Sequence, residues 1–137
     1  MNVVILGVTG QDGSYLAELL LQRGDSIHGV VRRTSQFNRA RIEHLRAAYP
    51  GRFHLHYADL SDRTNPRRLL LKIGPERLYH LAGQRHVGLS FDIAESTFDE
   101  VAVGTLSLLE ICRDLENPPR SLLIGSSEVF GEPEEVP

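Results

Sequence analysis

Three regularly spaced glycines join an apolar run to a stretch with helical periodicity near the start of this chain. The run at 3–6 is apolar throughout, as expected of a buried parallel strand, and Gly7, Gly10 and Gly13 follow it directly. From 12 to 23 the leucines recur at helical spacing. A strand, a glycine turn and a helix in this order predict a place where a pyrophosphate approaches the backbone at a helix N-terminus. A glycine-rich turn without a ligand is the simpler alternative, and the strand–turn–helix context favours binding.

The rest of the sequence continues this alternation of strand-like and helix-like segments. Further strands are predicted at 26–31, 53–57, 77–81 and 121–124, and further helices at 39–49, 65–73 and 95–115. The pattern predicts an α/β fold, a doubly wound parallel sheet of the Rossmann type with helices on both faces. Ligands of such sheets bind at the carboxyl ends of the strands, so the residues that follow each strand are the candidates for a site.

Composition and charge exclude several other classes of protein. The 137 residues fit one domain, and 41% hydrophobic with 24% charged residues is ordinary for a globular protein. A net charge of -3 indicates neither nucleic acid nor an anionic membrane as a partner. The short apolar N-terminus is not typical of a signal peptide, and no apolar run has the length of a membrane span. Cys112 is the only cysteine, so a disulfide within the chain is excluded and a cytoplasmic location is expected.

An arginine pair follows the second predicted strand. Arg32 and Arg33 lie about 20 residues after the glycines, where an NAD-binding domain usually has Asp or Glu for the ribose hydroxyls. Arginine suits the 2′-phosphate of NADP instead. A solvated basic pair is the alternative, and the position at a strand end favours NADP.

Polar or small residues also follow the third and fourth strands. Asp59 can accept a hydrogen bond from an adenine amino group while Leu60 packs on the ring, although Asp59 is equally suited to capping a helix. After the fourth strand, small residues let a cofactor pass close to the backbone, or let strand and helix pack closely. The residues at that position are Leu81, Ala82, Gly83 and Gln84.

A hydroxyl and a carboxylate follow the fifth strand. Ser126 and Glu128 can both reach a cleft, and a glutamate in a dehydrated cleft has a raised pKa and can transfer protons near neutral pH. A helix-capping cluster explains these residues equally well, and the residues alone leave the choice open.

His54 and His56 lie two residues apart on a strand, but no third ligand supports a metal site, so none is predicted. Cys112 lies on the apolar side of the last helix and is expected in the core.

Several longer motifs resemble those of the GDP-mannose 4,6-dehydratases, which belong to the extended short-chain dehydrogenase/reductase superfamily. The resemblance covers essentially the whole chain. The run Gln11-Asp12-Gly13-Ser14-Tyr15-Leu16, and the arginine pair followed by Phe37-Asn38, are far more specific than the glycines. The other matching stretches are 55–62, 86–87, 90–91, 104–110 and 127–131.

The resemblance implies a role for each candidate residue. The loop that holds the pyrophosphate of NADP would comprise Gly7, Val8, Thr9, Gly10, Gln11, Asp12 and Gly13. The 2′-phosphate would be bound by Val31, Arg32, Arg33 and Thr34. Asp59 and Leu60 would hold the adenine, and the path to the nicotinamide would be lined by Leu81, Ala82, Gly83 and Gln84. The catalytic residues would be Ser126 and Glu128.

The implied activity is that of a lyase, which converts GDP-mannose to GDP-4-keto-6-deoxymannose with transient reduction of NADP+. In that family Glu128 would remove the C5 proton and assist loss of the C6 hydroxyl, while Ser126 would hydrogen-bond the C4 oxygen. The family is typically homo-oligomeric, and the segment 33–38 resembles one that reaches a neighbouring subunit's cofactor site.

The chain departs from the family pattern in several positions. Leu6, Arg85 and Ser96 replace a usual Thr, Ser and Tyr, and no Tyr-x-x-x-Lys motif is present. We therefore expect residues 1–137 to form a truncated NADP-binding domain that lacks the C-terminal strands and the substrate domain and is inactive alone. Two alternatives remain: another sugar-nucleotide epimerase or dehydratase, and a non-catalytic nucleotide-binding fragment.

Overall fold

Strands and helices alternate along the chain in the computed structural model, which describes residues 1–32, 40–62, 64–83, 87–126, 129 and 131. The strands are β1 (Asn2–Leu6), β2 (Ser26–Val31), β3 (Phe53–Tyr57), β4 (Arg77–His80) and β5 (Arg120–Leu123). The helices are α1 (Gln11–Gln22), α2 (Glu43–Ala48), α3 (Thr64–Ile73), α4 (Val87–Asp92), α5 (Ala94–Phe98) and α6 (Gly104–Arg113). A π-helical turn, Asp99–Val103, connects α5 to α6.

The strands form one parallel sheet in the order β3-β2-β1-β4-β5. The central strand β1 pairs with β2 on one side and with β4 on the other, so that Val4 lies between His28 and Leu78. The chain therefore builds outward from β1 in one direction and then crosses back to build in the other. This order is the doubly wound topology, and the predicted fold class is confirmed.

Hydrophobic clusters cover both faces of the sheet. Val3 and Ile5 of β1 pack with buried residues of α1 and α2 on one face. Val4 and Leu6 pack with residues of α3 and α6 on the other face. Because Val3, Val4 and Ile5 are fully buried, the continuous apolar run at the start of the chain is explained by a strand covered on both sides. Truncation of Ile5 to alanine would cost about 2–5 kcal/mol of stability.

The helix predicted at 95–115 is divided into three parts. A backbone bond from the amide of Gly104 to the carbonyl of Asp99 spans five residues and creates the π-helical turn between α5 and α6. This extra residue does not break the apolar periodicity strongly enough to be visible in the sequence. Helix α4 was not predicted, and α2 is shorter than the helix predicted at 39–49, of which residue 39 lies outside the described residues.

Cys112 of α6 is buried in the cluster between this helix and the sheet, as predicted, and burial raises the pKa of its thiol. Within the described ranges, no helix combines the length and the apolar character needed to cross a bilayer.

Candidate functional site

The carboxyl ends of the strands meet at one edge of the sheet and are joined there by backbone hydrogen bonds. The amide of Gly7, just after β1, donates to the carbonyl of Val30 in β2 at 3.3 Å. The amide of Leu81, just after β4, donates to the carbonyl of Leu6 in β1 at 3.0 Å. The carboxyl ends of β1, β2 and β4 are therefore held side by side, which is where the sequence predicts a ligand.

The glycine loop has a shape that only glycine allows. Gly7 has φ of +82°, and a Cβ on it would lie 2.8 Å from the carbonyl oxygen of Leu81. A Cβ on Gly13 would lie 2.3 Å from the carbonyl oxygen of Gly7, so α1 packs directly on the loop. Gly10 is the N-cap of α1 and supplies no side-chain oxygen to the first amides of the helix. The loop and the first turn of α1 together therefore place backbone N–H groups at the carboxyl edge of the sheet.

The other predicted residues of this loop divide into buried and exposed positions. Val8 is fully buried in the core, and Gly29 of β2 lies against it, since a Cβ there would be 2.7 Å from Val8 Cγ1. Gln11 and Asp12 are exposed on the first turn of α1, and Thr9 is half-buried. Val8 can therefore face a ligand only through its backbone, whereas the side chains of Gln11 and Asp12 are accessible.

Arg32 lies at the carboxyl end of β2 and forms an ion pair. Its Nη1 donates to Oε2 of Glu100 at 2.8 Å, across 68 residues of sequence. Val31, the last residue of β2, is buried and orients toward the core cluster of α1. Arg33 and Thr34, predicted to share the 2′-phosphate with Arg32, lie outside the described residues.

Asp59 and Leu60 follow β3 at the same edge. Asp59 Oδ1 accepts hydrogen bonds from the amide of Ser61 at 3.0 Å and from its hydroxyl at 2.9 Å. The helix-capping role suggested for Asp59 belongs to Asp62, whose Oδ1 accepts from the amide of Thr64 at 2.9 Å. Leu60 is half-buried against Gly104, where a Cβ would lie 3.0 Å from the Cβ of Leu60.

The half-buried residues Leu81, Ala82 and Gly83 follow β4 and border the glycine loop. Gln84 lies outside the described residues. Directly before them, buried His80 places Nε2 3.0 Å from the hydroxyl of Thr105 in α6, and burial lowers the pKa of His80. His80 therefore ties the end of β4 to the start of α6 as a neutral ring.

The two predicted catalytic residues are described unequally. Ser126 is exposed just after β5, and its carbonyl accepts a hydrogen bond from the amide of Val129 at 3.2 Å. Glu128 lies outside the described residues. Ser126 does lie at the carboxyl edge of the sheet with the other candidates, since the amide of Ile124 donates to the carbonyl of His80 at 3.2 Å.

Glu100 and Gly104 contact the candidate residues Arg32 and Leu60, and they were missed by reasoning from sequence. A glycine within a helical pattern is a signal of close packing, and Gly104 could have been found in this way. No sequence signal points to Glu100, because its partner is distant in the chain and its position depends on the π-helical turn.

Three histidines cluster on the face of the sheet that α3 and α6 cover. The ring of His28 stacks on those of His54 and His56, with centroids 4.8 and 5.2 Å away. His28 Nδ1 lies 3.0 Å from His56 Nε2, which requires that one ring be neutral. Burial, with smaller contributions from His54 and His56, lowers the pKa of His28 to about 4. In the part of the chain that is described, no group of three or more His, Cys, Asp or Glu is arranged to hold a metal ion.

Comparison with protein families and curated proteins gives a consistent result. The family model for GDP-mannose 4,6 dehydratase matches residues 4–137. The human GDP-mannose 4,6 dehydratase is 45% identical over 140 residues, which cover 98% of this chain and 38% of the human protein. GDP-mannose 4,6 dehydratase 2 of Caenorhabditis elegans is 47% identical over 142 residues, which cover 98% of this chain and 37% of the relative. The chain thus spans less than two fifths of the length of these curated relatives.

Solved structures share the architecture. The crystal structure of UDP-glucose 4-epimerase from Bifidobacterium longum in complex with NAD+ and UDP matches with a TM-score of 0.85 at 22% identity. The match covers all of this chain and 40% of that protein. At this identity the similarity shows the fold, with the same kind of parallel sheet and flanking helices.

Proposed function

The chain belongs to the GDP-mannose 4,6-dehydratase family, and from this premise we propose that it is the NADP-binding portion of a nucleotide-sugar dehydratase. The proposed reaction converts GDP-mannose to GDP-4-keto-6-deoxymannose, which makes the whole protein a lyase. The observation that carries the proposal is the glycine loop, where Gly7 and Gly13 allow α1 and the end of β4 to approach the same backbone turn.

The residues present fit a dinucleotide. The first amides of α1 and the loop from Gly7 to Gly13 suit a pyrophosphate, because backbone N–H groups and the helix dipole both favour an anion there. Arg32 supports NADP over NAD, since a guanidinium binds phosphate oxygens through several donors. Arg33 and Thr34 complete the proposed 2′-phosphate site.

The adenine and nicotinamide ends of the proposed site lie on opposite sides of the glycine loop. Leu60 offers an apolar surface for an adenine ring next to Gly104, and Asp59 offers a carboxylate beside it. Toward the nicotinamide end, the small side chains and backbone that follow β4 border the glycine loop. The residues that we assign to that path are Leu81, Ala82, Gly83 and Gln84.

The chemistry assigned to this chain is the handling of protons. The bound NADP+ would supply a hydride acceptor. The hydroxyl of Ser126 would donate a hydrogen bond to the C4 oxygen of the sugar, and the carboxylate of Glu128 would accept the C5 proton. The base that removes the C4 hydroxyl proton is not assigned to any of these 137 residues, because the sequence contains no Tyr-x-x-x-Lys motif.

The proposed partners are a nucleotide sugar and a second copy of the chain, in the cytoplasm. Exposed apolar side chains run along α5, the π-helical turn and α6, and they support self-association. These side chains are Phe98, Val101, Leu106 and Leu109.

Another sugar-nucleotide epimerase or dehydratase is the second candidate, supported by the similarity in fold to a UDP-glucose 4-epimerase. A completed chain would be assayed with GDP-mannose, UDP-glucose and dTDP-glucose, and the products identified. Formation of a 4-keto-6-deoxy sugar from GDP-mannose alone supports the first proposal, and a C4 epimer of a UDP-sugar supports the second.

The cofactor site can be tested on the 137-residue chain by calorimetric titration with NADP+. Gly13→Ala would place a methyl group against the carbonyl of Gly7 and should weaken binding about tenfold, as expected when overpacking shifts a backbone. Gly88→Ala is the matched control, because among the described residues nothing lies within 4 Å of a Cβ at Gly88. The third candidate, a non-catalytic nucleotide-binding fragment, would be supported by binding of NADP+ without turnover of any of these sugars in the completed chain. No binding of NADP+ by the native chain would contradict the proposed cofactor site.

A further inference from the structure

The ion pair between Arg32 and Glu100 joins the carboxyl end of β2 to the π-helical turn. The side chain of Glu100 is 20% exposed and that of Arg32 is 52% exposed, with 2.8 Å between Nη1 and Oε2. The guanidinium that the proposed function assigns to a phosphate is therefore already in contact with a carboxylate.

Glu100 is held in place by its backbone. It belongs to the π-helical turn, which is closed by the bond from the amide of Gly104 to the carbonyl of Asp99. Gly104 in turn packs so closely on Leu60 that an added Cβ would lie 3.0 Å from the Cβ of Leu60. Because the turn is anchored on the residue that follows β3, the carboxylate of Glu100 is fixed beside the carboxyl end of β2.

A fixed carboxylate affects the two dinucleotides differently. A 2′-phosphate needs donors from Arg32, so the phosphate must share or displace Glu100, and it also brings negative charge close to that carboxylate. A 2′-hydroxyl is neutral and can accept from Arg32 or donate to Glu100 without either cost. The ion pair therefore opposes binding of the phosphate and tolerates the hydroxyl.

We propose that Glu100 is a specificity-determining residue that reduces the preference of this site for a 2′-phosphorylated adenine nucleotide. The proposal rests on the proposed function, in that it assumes an adenine nucleotide bound at this edge of the sheet. Arg32 supplies the attraction for the phosphate, and Glu100 sets how much of that attraction is available.

The test uses nucleotides that fill only the adenine end of the site. The 137-residue chain would be titrated with adenosine 2′,5′-bisphosphate and with 5′-AMP, for the native protein, Glu100→Gln and Glu100→Ala. Both variants should bind the bisphosphate about fivefold more tightly, which corresponds to loss of an exposed ion pair, and should bind 5′-AMP within about twofold of the native affinity. Asp114→Asn is the control, because Asp114 also pairs with an arginine, Arg67 at 2.9 Å, but lies just after the end of α6, and it is more exposed than Glu100, at 46% against 20%. It should change neither affinity.

Three results would overturn the inference. An unchanged ratio of the two affinities in both variants would show that Glu100 does not restrain Arg32. Weaker binding of the bisphosphate would show that Glu100 orients Arg32 for the phosphate. If native protein that is folded by circular dichroism binds neither nucleotide, the proposed function itself fails, and this outcome is distinct from the other two.

Discussion

At the scale of single side chains, we propose that cofactor preference depends on Arg32. Replacement by alanine removes the charge-assisted hydrogen bonds to a 2′-phosphate, each worth about 1.5–3 kcal/mol, and leaves Glu100 unpaired beside the phosphate. We expect Arg32→Ala to weaken NADP binding about tenfold or more and to leave NAD binding nearly unchanged. Calorimetry with both dinucleotides would measure this.

The control for that experiment is Arg67→Ala. Arg67 also forms an exposed ion pair, with Asp114 at 2.9 Å, but its elements, α3 and the end of α6, do not border the glycine loop. The Arg67→Ala variant should leave the affinities for NADP and for NAD unchanged. Equal affinities for NADP and NAD in the native protein, with no effect of Glu100→Gln, would contradict the assignment of the 2′-phosphate to this strand end.

The histidine cluster links β2 and β3 and makes the stability of these elements depend on pH. His28 from β2 faces His54 and His56 from β3, and burial, with smaller contributions from His54 and from Lys72 of α3, lowers the pKa of His56. Because the pKa of His28 falls from 6.5 to about 4 on folding, the unfolded chain binds more protons between these values. The contribution to stability is present above the unfolded pKa and is lost as the pH falls from about 6.5 toward 4.

We expect His28→Leu to flatten this dependence. Urea unfolding between about pH 4 and pH 7 should show the free energy of unfolding of the native chain falling by less than about 2 kcal/mol, because water screens a half-buried ring. The Leu variant should show a smaller fall. His44→Gln, at an exposed position on α2, should retain the native dependence. A native slope that persists without His28 would assign the effect to His56 or His80, whose pKa values are also lowered by burial.

Strands were easier to predict than the elements around the cleft. β1 to β3 follow from their apolar or alternating patterns, because a strand buried on both faces leaves few polar choices. The π-helical turn could not be predicted, and the contact that Gly104 makes with Leu60 beside it joins residues that are far apart in sequence. The strand-end positions of Gly7, Arg32, Asp59 and Leu81 could be predicted because they depend on the local sequence. The pairing of Arg32 with Glu100 could not, because these two residues are 68 positions apart.

At the scale of the whole molecule, the exposed apolar side chains along α5 and α6 predict self-association. Leu106→Glu places a charge in that strip and should lower the weight-average mass of the native chain measured by sedimentation equilibrium. Leu71→Glu is the matched control, because Leu71 of α3 is 58% exposed and Leu106 is 59% exposed. A native chain that is monomeric at all concentrations and melts cooperatively at high temperature would contradict the prediction.

Catalysis is the property that belongs to the largest scale, because we propose that its residues come from different parts of the whole protein. Ser126 and Glu128 are present here, but no Tyr-x-x-x-Lys motif is, and oxidation at C4 requires that the hydroxyl proton be removed. We expect the 137-residue chain to bind NADP+ and to produce neither NADPH absorbance nor a keto sugar from GDP-mannose. The same residues, joined to the remaining length of a family member such as the human relative, should produce the keto sugar without accumulating NADPH, because the reduction of NADP+ is transient.

In that completed protein, Glu128→Gln separates the two halves of the reaction. An amide cannot accept the C5 proton, so the variant should oxidise C4 and then stop before elimination, with NADPH and a 4-keto hexose that retains its C6 hydroxyl. Absorbance at the NADPH band and mass spectrometry of the nucleotide sugar would detect this state. Ser126→Ala is the comparison, because loss of the hydrogen bond to the C4 oxygen should slow oxidation itself, by about a hundredfold. Full turnover by the Gln variant would show that Glu128 is not the base, and oxidation by the isolated chain would show that a C4 base lies within these residues.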